Sequence, residues 1–348
     1  MSFIESIFAK LKRHPKRIVF PDGDDPRVVR ACHAFYEKEA GIPVLIGKRD
    51  VIERVALTEK VSLDHVAIIN PETSSELPAF CEHLEKLDRY RKMGIKDSRA
   101  IMVNPNYFAA MMLQYGQVDA LVGGVTSYSG SLLRPLIQIV KPLAHAPFIS
   151  GCVIAELPDK KFGDDGVLFL ADCGVVPEPN MQQLGAIAVQ TGLLARQVFG
   201  SRPRVAMLSF STKGSAKTAS TEKVAGAVEI ARQLAADLQA EIAVDGEMQA
   251  DTALVAELAE RKMGPSLVAG KANVLIFPDL NSGNIAAKLI QYLAGAKIYG
   301  QILLGFSRPA ADLSRGATVE DIVSVAAVVG LQAIEYRKLY PPTPEPEA

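Results

Sequence analysis

The sequence predicts an α/β fold of two lobes, each a mostly parallel sheet with helices on both faces, three α/β/α layers in all. Two observations predict it. Short β-branched runs alternate with longer stretches that are apolar at helical spacing, the pattern of consecutive βα units. The chain has 348 residues, too many for one ordinary core and about right for two α/β lobes.

The elements follow in order. Met1–Lys12 reads as a short amphipathic helix with Lys10, Lys12 and Arg13 at its end. A signal peptide would put its charges first and an apolar core after them. Arg17–Phe20 is a strand, followed by the turn Pro21-Asp22-Gly23-Asp24-Asp25 and a helix over about Pro26–Ala40. Pro43–Ile46 and Val66–Ile69 are further strands, and a helix runs from about Ser75 to Lys92. Asn106–Tyr115 is apolar at helical spacing, and Ala120–Val122 is a buried strand. Pro147–Ala155 is a long β-like run, as if the chain crosses into a second lobe near Lys141–Ala146. Val167–Ala171 and Val205–Ser209 flank a helix over about Met181–Phe199. Ile242–Asp245, Val274–Phe277 and Ile298–Leu304 are the remaining strands. The last helix, about Thr318–Arg337, places Ile322, Val325, Ala326, Val329 and Leu331 on its apolar side, and the tail Pro341–Ala348 is expected to be disordered.

Composition excludes several classes. A net charge of −1 provides no basic field for nucleic acid or an anionic membrane. No apolar run approaches the ~20 residues of a membrane span. These readings make a cytoplasmic protein the expectation. Cys32, Cys81, Cys152 and Cys173 form no CxxC pair, so buried free thiols are expected. His14, His33, His65, His83 and His145 show no metal-ligand spacing.

Three loops follow strands and open onto helices: Gly123–Gly130, Ser211–Ser215 and Asp279–Asn284. Helix N-termini beyond strand ends present free N–H groups suited to phosphate, and small residues let the backbone approach a ligand. None is a GxGxxG or GxxxxGK[ST] motif, so a nucleotide fingerprint is absent. Each loop alone can be an ordinary turn; three together favour a phosphate-rich ligand. The stretch Asp312-Leu-Ser-Arg-Gly-Ala-Thr-Val-Glu-Asp321 adds a hydroxyl, a guanidinium and a carboxylate at a helix start. From spacing alone, Thr318 with Asp321 reads better as a helix cap than as chemistry. Lys213 and Ser215 fit a solvated turn as well as a phosphate cradle.

Collinear motifs carry a resemblance. Asp119-Ala-Leu-Val-Gly-Gly124 with Leu133-Arg-Pro135, Met207-Leu-Ser-Phe-Ser-Thr-Lys-Gly-Ser215, Asp245-Gly-Glu-Met-Gln249, Ala272-Asn-Val-Leu-Ile-Phe-Pro-Asp279, Gly283-Asn-Ile285 and Asp312-Leu-Ser-Arg-Gly316 resemble the phosphate acetyltransferase (phosphotransacetylase) family over essentially the whole chain. Starting at its own methionine near Phe3, the chain looks like the short free-standing form. The resemblance implies reversible acetyl transfer, acetyl-CoA plus phosphate giving acetyl phosphate plus CoA, with CoA as a substrate, no tightly bound cofactor and no metal. It also implies a homodimer and a fold similar to isocitrate and isopropylmalate dehydrogenases. The lobes are then 1–145 plus 305–348 and 146–304, with the active site in the cleft between them.

By the same similarity Ser314, Arg315 and Asp321 are the catalytic group. Asp321 is the base that takes the CoA thiol proton, Ser314 hydrogen-bonds the thiolate or the developing oxyanion, and Arg315 neutralises phosphate and polarises the acetyl carbonyl. Arg134 and Arg91 match arginines associated with CoA or phosphate, with Arg89 a competitor for the latter position. Ser127, Ser211, Thr212, Lys213, Gly214, Ser215, Asn284 and Tyr292 complete the binding set. Tyr292 stands where the family usually carries Arg, and it cannot make a bidentate phosphate contact, which implies a weaker contact or compensation from Lys288. A free aspartate near pKa 3.9 facing a thiol near 8.5 leaves proton transfer uphill by roughly 6 kcal/mol at 1.36 kcal/mol per unit. A buried base and a nearby arginine would both reduce that gap. The rival readings are a longer-chain acyl (butyryl) transferase, a metal- and nicotinamide-dependent dehydrogenase of similar fold, and a non-catalytic CoA or acyl-phosphate sensor. The dehydrogenase would need clustered aspartates, which the sequence does not space that way.

Overall fold

The computed structural model describes residues 2–87, 97–144 and 148–339, with side chains to residue 334. The chain divides into two compact units, Met1–Ala144 with Phe306–Ala348, and His145–Gly305. The expected tail Pro341–Ala348 and the end of the expected helix Ser75–Lys92 lie outside the described residues.

In the first unit helix α1 (Phe3–Leu11) starts from a capping box, Ser2 and Glu5 each accepting the other's backbone N–H. Then come β1 (Lys16–Phe20), α2 (Pro26–Glu37), β2 (Gly41–Ile46), α3 (Arg49–Glu59) and β3 (Ala67–Ile69). Helices Leu77–Lys86 (α4), Ser98–Met102 (α5) and Pro105–Gln114 (α6) lead to β4 (Ala120–Gly123) and α7 (Ser129–Ile139). The strands run β3-β2-β1-β4-β11, where β11 is Ala310–Asp312 and returns from the far end of the chain. Every pairing in this row is parallel, with Asp312 level with Gly123 and Val19 level with Leu121. The final helix α13 (Val319–Leu339) packs on α1, α2, β1 and β4. Ile322, Val325, Ala326 and Val329 are buried there, as the 3.6-residue period predicts.

The second unit holds β5 (Ser150–Glu156), β6 (Val167–Ala171), α8 (Met181–Phe199), β7 (Arg204–Leu208), α9 (Ala219–Asp237) and β8 (Ala243–Met248). It continues with α10 (Ala250–Leu254), α11 (Ala256–Lys262), β9 (Val274–Ile276), α12 (Leu280–Leu293) and β10 (Lys297–Leu304). The strand order is β10-β5-β6-β9-β7-β8. β5 is antiparallel to both β10 and β6, and the rest pair in parallel. Helix α8 spans the residues expected of it. Its start is fixed by a reciprocal cap between Asn180 and Gln183, and its end by Gly200 at φ 74°, the left-handed conformation glycine accepts at no steric cost. Val153, Leu168, Leu170, Leu275 and Phe277 join Ala253, Ala259 and Ala287 of helices α10, α11 and α12 in one core cluster.

All four cysteines are free thiols, Cys81 half-buried and the other three buried. Among the described residues no helix is long and apolar enough to cross a membrane.

Candidate active site

The chain leaves β1 through Pro21 and Asp22 and enters α2 at Asp25, whose side chain accepts the Arg27 N–H at 2.8 Å and so caps the helix, with Pro26 at its first position. Asp25 also takes the Arg27 guanidinium, Nε to Oδ1 at 3.1 Å and Nη2 to Oδ2 at 2.8 Å. Burial pushes the Asp25 carboxyl up, but the hydrogen bonds from Arg27 outweigh it and hold the group below its ordinary value. With its charge balanced, the guanidinium reaches three backbone carbonyls. Nη1 donates to Arg315 at 2.7 Å and to Ala317 at 3.0 Å, and Nη2 donates to Val125 at 3.1 Å. One side chain on α2 thus ties the turn after β11 to the loop after β4.

Asp22 works on the same loop. Its Oδ2 accepts the Val125 N–H at 3.2 Å, and its Oδ1 accepts the Thr126 hydroxyl. Gly124 has φ 93°, and a Cβ there would collide with Asp312 Oδ1 and the Leu313 backbone, so two constraints demand glycine. Leu313 donates to Gly123 O at 2.7 Å, extending the β11–β4 pairing by one bond past Asp312. Asp312 itself is buried, and Oδ1 has no hydrogen-bond partner among the described residues. Burial, helped by the charge of Asp22 and opposed by a hydrogen bond from Ser129, pushes its carboxyl up to about 6. The Ser127 hydroxyl is likewise buried without a partner.

Beyond Leu313 the backbone turns outward, leaving Ser314, Arg315 and Gly316 exposed. The turn is closed by Ala317 N–H to Ser314 O at 2.9 Å and by Gly316 N–H to Ser314 Oγ at 3.3 Å. Thr318 and Asp321 then form a reciprocal cap on α13. Thr318 N–H and Oγ1–H both donate to Asp321 Oδ2 at 2.8 Å, and Asp321 N–H donates to Thr318 Oγ1 at 3.2 Å. Spacing favours capping for Asp321 and the family resemblance favours chemistry; the cap is present, and it occupies one carboxylate oxygen. Arg134, on the exposed side of α7, has no hydrogen bond or ion pair among the described residues. Its charge is felt by Tyr107, whose phenol is pushed up by burial and drawn back by Arg134.

The other expected binding residues lie in the second unit or outside the described residues. Arg91 and its competitor Arg89 are outside them. The loop after β7 is organised around Glu247: its Oε1 accepts Ser211 Oγ–H at 2.9 Å and Gly214 N–H at 2.7 Å, and its backbone O accepts Lys213 N–H at 3.1 Å. Ser215 Oγ accepts the Thr212 N–H at 3.1 Å. Lys213 Nζ sits on Asp245 Oδ1 at 2.8 Å and Gly246 O at 2.9 Å. Burial pushes the Asp245 carboxyl up, and Lys213 and Ser266 outweigh it, leaving the group below its ordinary value. The Ser211–Ser215 loop therefore spends much of its donor capacity on the protein's own carboxylates. Asn284, in the first turns of α12, donates through Nδ2 to Cys173 O at 2.9 Å. Tyr292 is 77% exposed on the same helix.

The phosphate acetyl/butaryl transferase family matches the chain over residues 2–329. The chain belongs to this family. A phosphate acetyltransferase of Thermoanaerobacterium thermosaccharolyticum is 42% identical over 96% of this chain and 100% of its own length. A phosphotransacetylase structure from Streptococcus pyogenes superposes with a TM-score of 0.87 at 35% identity, covering 96% of this chain and 100% of that one. The dehydrogenase-like fold expected of the family is also found. A protein from Salmonella typhimurium described as a 4-hydroxythreonine-4-phosphate dehydrogenase gives a TM-score of 0.53 at 13% identity, covering 91% of this chain and 99% of that one, a likeness of fold alone.

Asp22 and Arg27 of this family member carry the local architecture without standing out in the sequence, where Asp22 is one residue of the turn after the first strand. Asp312 opens the stretch that does stand out, but the chemistry read there belongs to Ser314, Arg315 and Asp321. Only the cluster Asp22–Asp25 just past a buried strand hinted at Asp22 and Arg27, because strand ends are where an α/β sheet gathers its polar groups.

Proposed function

We propose that the chain catalyses the reversible transfer of an acetyl group between CoA and inorganic phosphate, and that the reacting groups belong to the segment Ser314–Asp321. The observation that carries this is the exposed Ser314-Arg315-Gly316 turn at the carboxyl end of β11, bound through Arg27 to the loop from which the Arg134 helix starts. Full-length likeness to named phosphate acetyltransferases supports the same reaction.

In the direction of thioester synthesis the CoA sulfur attacks the acetyl phosphate carbonyl. The C–S bond forms, the bond from the acetyl carbon to the phosphate oxygen breaks, and phosphate leaves with that electron pair. Asp321 takes the thiol proton. Thr318 holds one of its oxygens, and Oδ1 carries no protein hydrogen bond among the described residues. Ser314 donates to the sulfur or to the carbonyl oxygen as it becomes anionic, and Arg315 offsets charge on that oxygen and on the leaving phosphate. Arg134, with Arg91, Ser127, Ser211, Thr212, Lys213, Gly214, Ser215, Asn284 and Tyr292, holds CoA and phosphate. The reading takes CoA as a substrate, places no metal in the chemistry, and assigns the protein to the cytoplasm as a homodimer.

The test is thioester formation from acetyl phosphate and CoA in metal-chelated buffer. Thioester is expected, and its absence overturns the reading. Asp321→Asn is expected to lower kcat by about 10²–10⁴-fold, the range for general acid–base groups. A variant as fast as wild type would remove Asp321 as the base and leave the enzyme. Butyryl phosphate in parallel separates the longer-chain alternative, with acetyl phosphate the expected better substrate.

A further inference from the structure

Asp312 ends β11 two residues before Ser314, and the chemistry above does not use it. Its side chain is 6% exposed, and Oδ1 faces no donor among the described residues. Oδ1 fills the space a Cβ on Gly124 would need, and the Ser129 hydroxyl, at the first residue of α7, favours the ionised carboxyl. The loop from Gly124 to Ser129 therefore touches one carboxyl at both of its ends. Ser127, whose buried hydroxyl has no partner among the described residues, lies between those ends. Asp22, also 6% exposed, grips the same loop through Val125 and Thr126.

We propose that Asp312 is a positioning residue for acetyl transfer: its carboxylate holds the Gly124–Ser129 loop, and with it the helix of Arg134, in place beside the Ser314–Arg315 turn. This rests on the reading of that turn as the reacting site. The ionised form does the holding, because it can accept from Ser129 and from a second donor at Oδ1 together. A proton on Asp312 converts one acceptor oxygen into a donor and ends that arrangement.

The charged groups on the surrounding elements are Asp22 after β1, the Asp25–Arg27 pair opening α2, Arg134 on α7, Arg315 in the turn, and Glu320 and Asp321 opening α13. Among these, Asp22 is the charge that acts on the Asp312 proton, and it acts in the same direction as burial. The holding is complete well above pH 6 and is lost as the pH falls through about 6.

The experiment measures kcat and KM for acetyl phosphate and CoA from pH 5 to 9 on wild type, Asp312→Asn and Ser129→Ala. Hydrogen exchange over residues 311–318 is followed on the same proteins. Asp312→Asn keeps the shape and cannot ionise. It is expected to lower kcat about 10- to 100-fold at pH 8, the scale of a misplacement of about 1 Å, with both KM values little changed. It should also lose the wild-type acid limb near pH 6 and exchange faster over 311–318. Ser129→Ala removes the hydrogen bond that favours the ionised form, so its acid limb should move to higher pH.

An Asp312→Asn profile that superimposes on wild type overturns the proposal, as does an acid limb that stays in place in Ser129→Ala. Should Asp312→Asn fail to fold, the position of the Ser129→Ala limb decides alone. A wild type that forms no thioester at any pH removes the acetyl-transfer reading. Exchange over 311–318 then still reports on Asp312, and unchanged exchange in Asp312→Asn overturns the holding role.

Discussion

At the scale of residues, Asp312 trades stability for position. Burial and the charge of Asp22 move its carboxyl from the ordinary 3.8 to about 6. A folded-state value raised above the unfolded one adds stability below the unfolded value and loses it as the pH rises through the folded value. The raised carboxyl therefore costs the native state up to about 3 kcal/mol above pH 6, at 1.36 kcal/mol per unit. Asp312→Asn should be more stable than wild type at pH 8 by up to that amount and equal to it near pH 4, read as urea midpoints. Equal midpoints at pH 8 would mean that the carboxylate is solvated in the native state. A variant more stable and less active at one position is the expected mark of a polar group kept for function. Arg27 shows the opposite economy: its charge is matched by Asp25 before it reaches the three carbonyls, so it sits half-buried beside the turn with its donors used.

At the scale of elements, α13 joins two tasks in one turn. Its start is a reciprocal cap between Thr318 and Asp321. Thr318→Ala removes both side-chain bonds of the cap and should cost about 1 kcal/mol, within the 0.5–2 kcal/mol range for such caps. It also leaves Asp321 Oδ2 held by the backbone N–H of residue 318 alone, so kcat should change more than thermal stability suggests; an unchanged kcat would show that the orientation of Asp321 does not depend on the Thr318 hydroxyl. Legibility in the sequence differed from element to element. Helix α8 could be read to its ends because Asn180, Gln183 and Gly200 mark them. Helix α3 is not among the elements read from the sequence: Val51, Ile52, Val55 and Ala56 recur at helical spacing, but its N-cap is Lys48, which makes no side-chain cap bond and gives no start signal. Strand β11 is three residues long, and Ala310-Ala311-Asp312 has no β-branched residue to announce it. The reversal of β5 between β10 and β6 is a matter of pairing, which alternation within a strand does not encode. In the candidate site, Ser314, Arg315, Asp321 and Arg134 came from the family resemblance. The raised carboxyl of Asp312 comes first from burial and then from Asp22, 290 positions earlier, and no local pattern contains either.

At the scale of the whole molecule, the first unit is interrupted in sequence: residues 145–305 form a unit of their own, and β11 with α13 complete the first. Strands β5 to β10 pair within the second unit, and it has its own core cluster. Residues 148–305 expressed alone should therefore show a cooperative thermal transition by circular dichroism. Residues 1–144 alone lack the strand beside β4 and the helix over β1 and β4, and should show none; a cooperative transition there would mean that the last segment is an accessory to a fold already complete. The same order has a consequence in time. A domain generally folds as its chain emerges, at roughly 5–20 residues per second. The second unit can be finished while the first still waits for β11, and Ser314 and Arg315 arrive on the very segment that closes it. During synthesis the reacting turn and the strand that shapes its loop are delivered together, so an incomplete chain has neither.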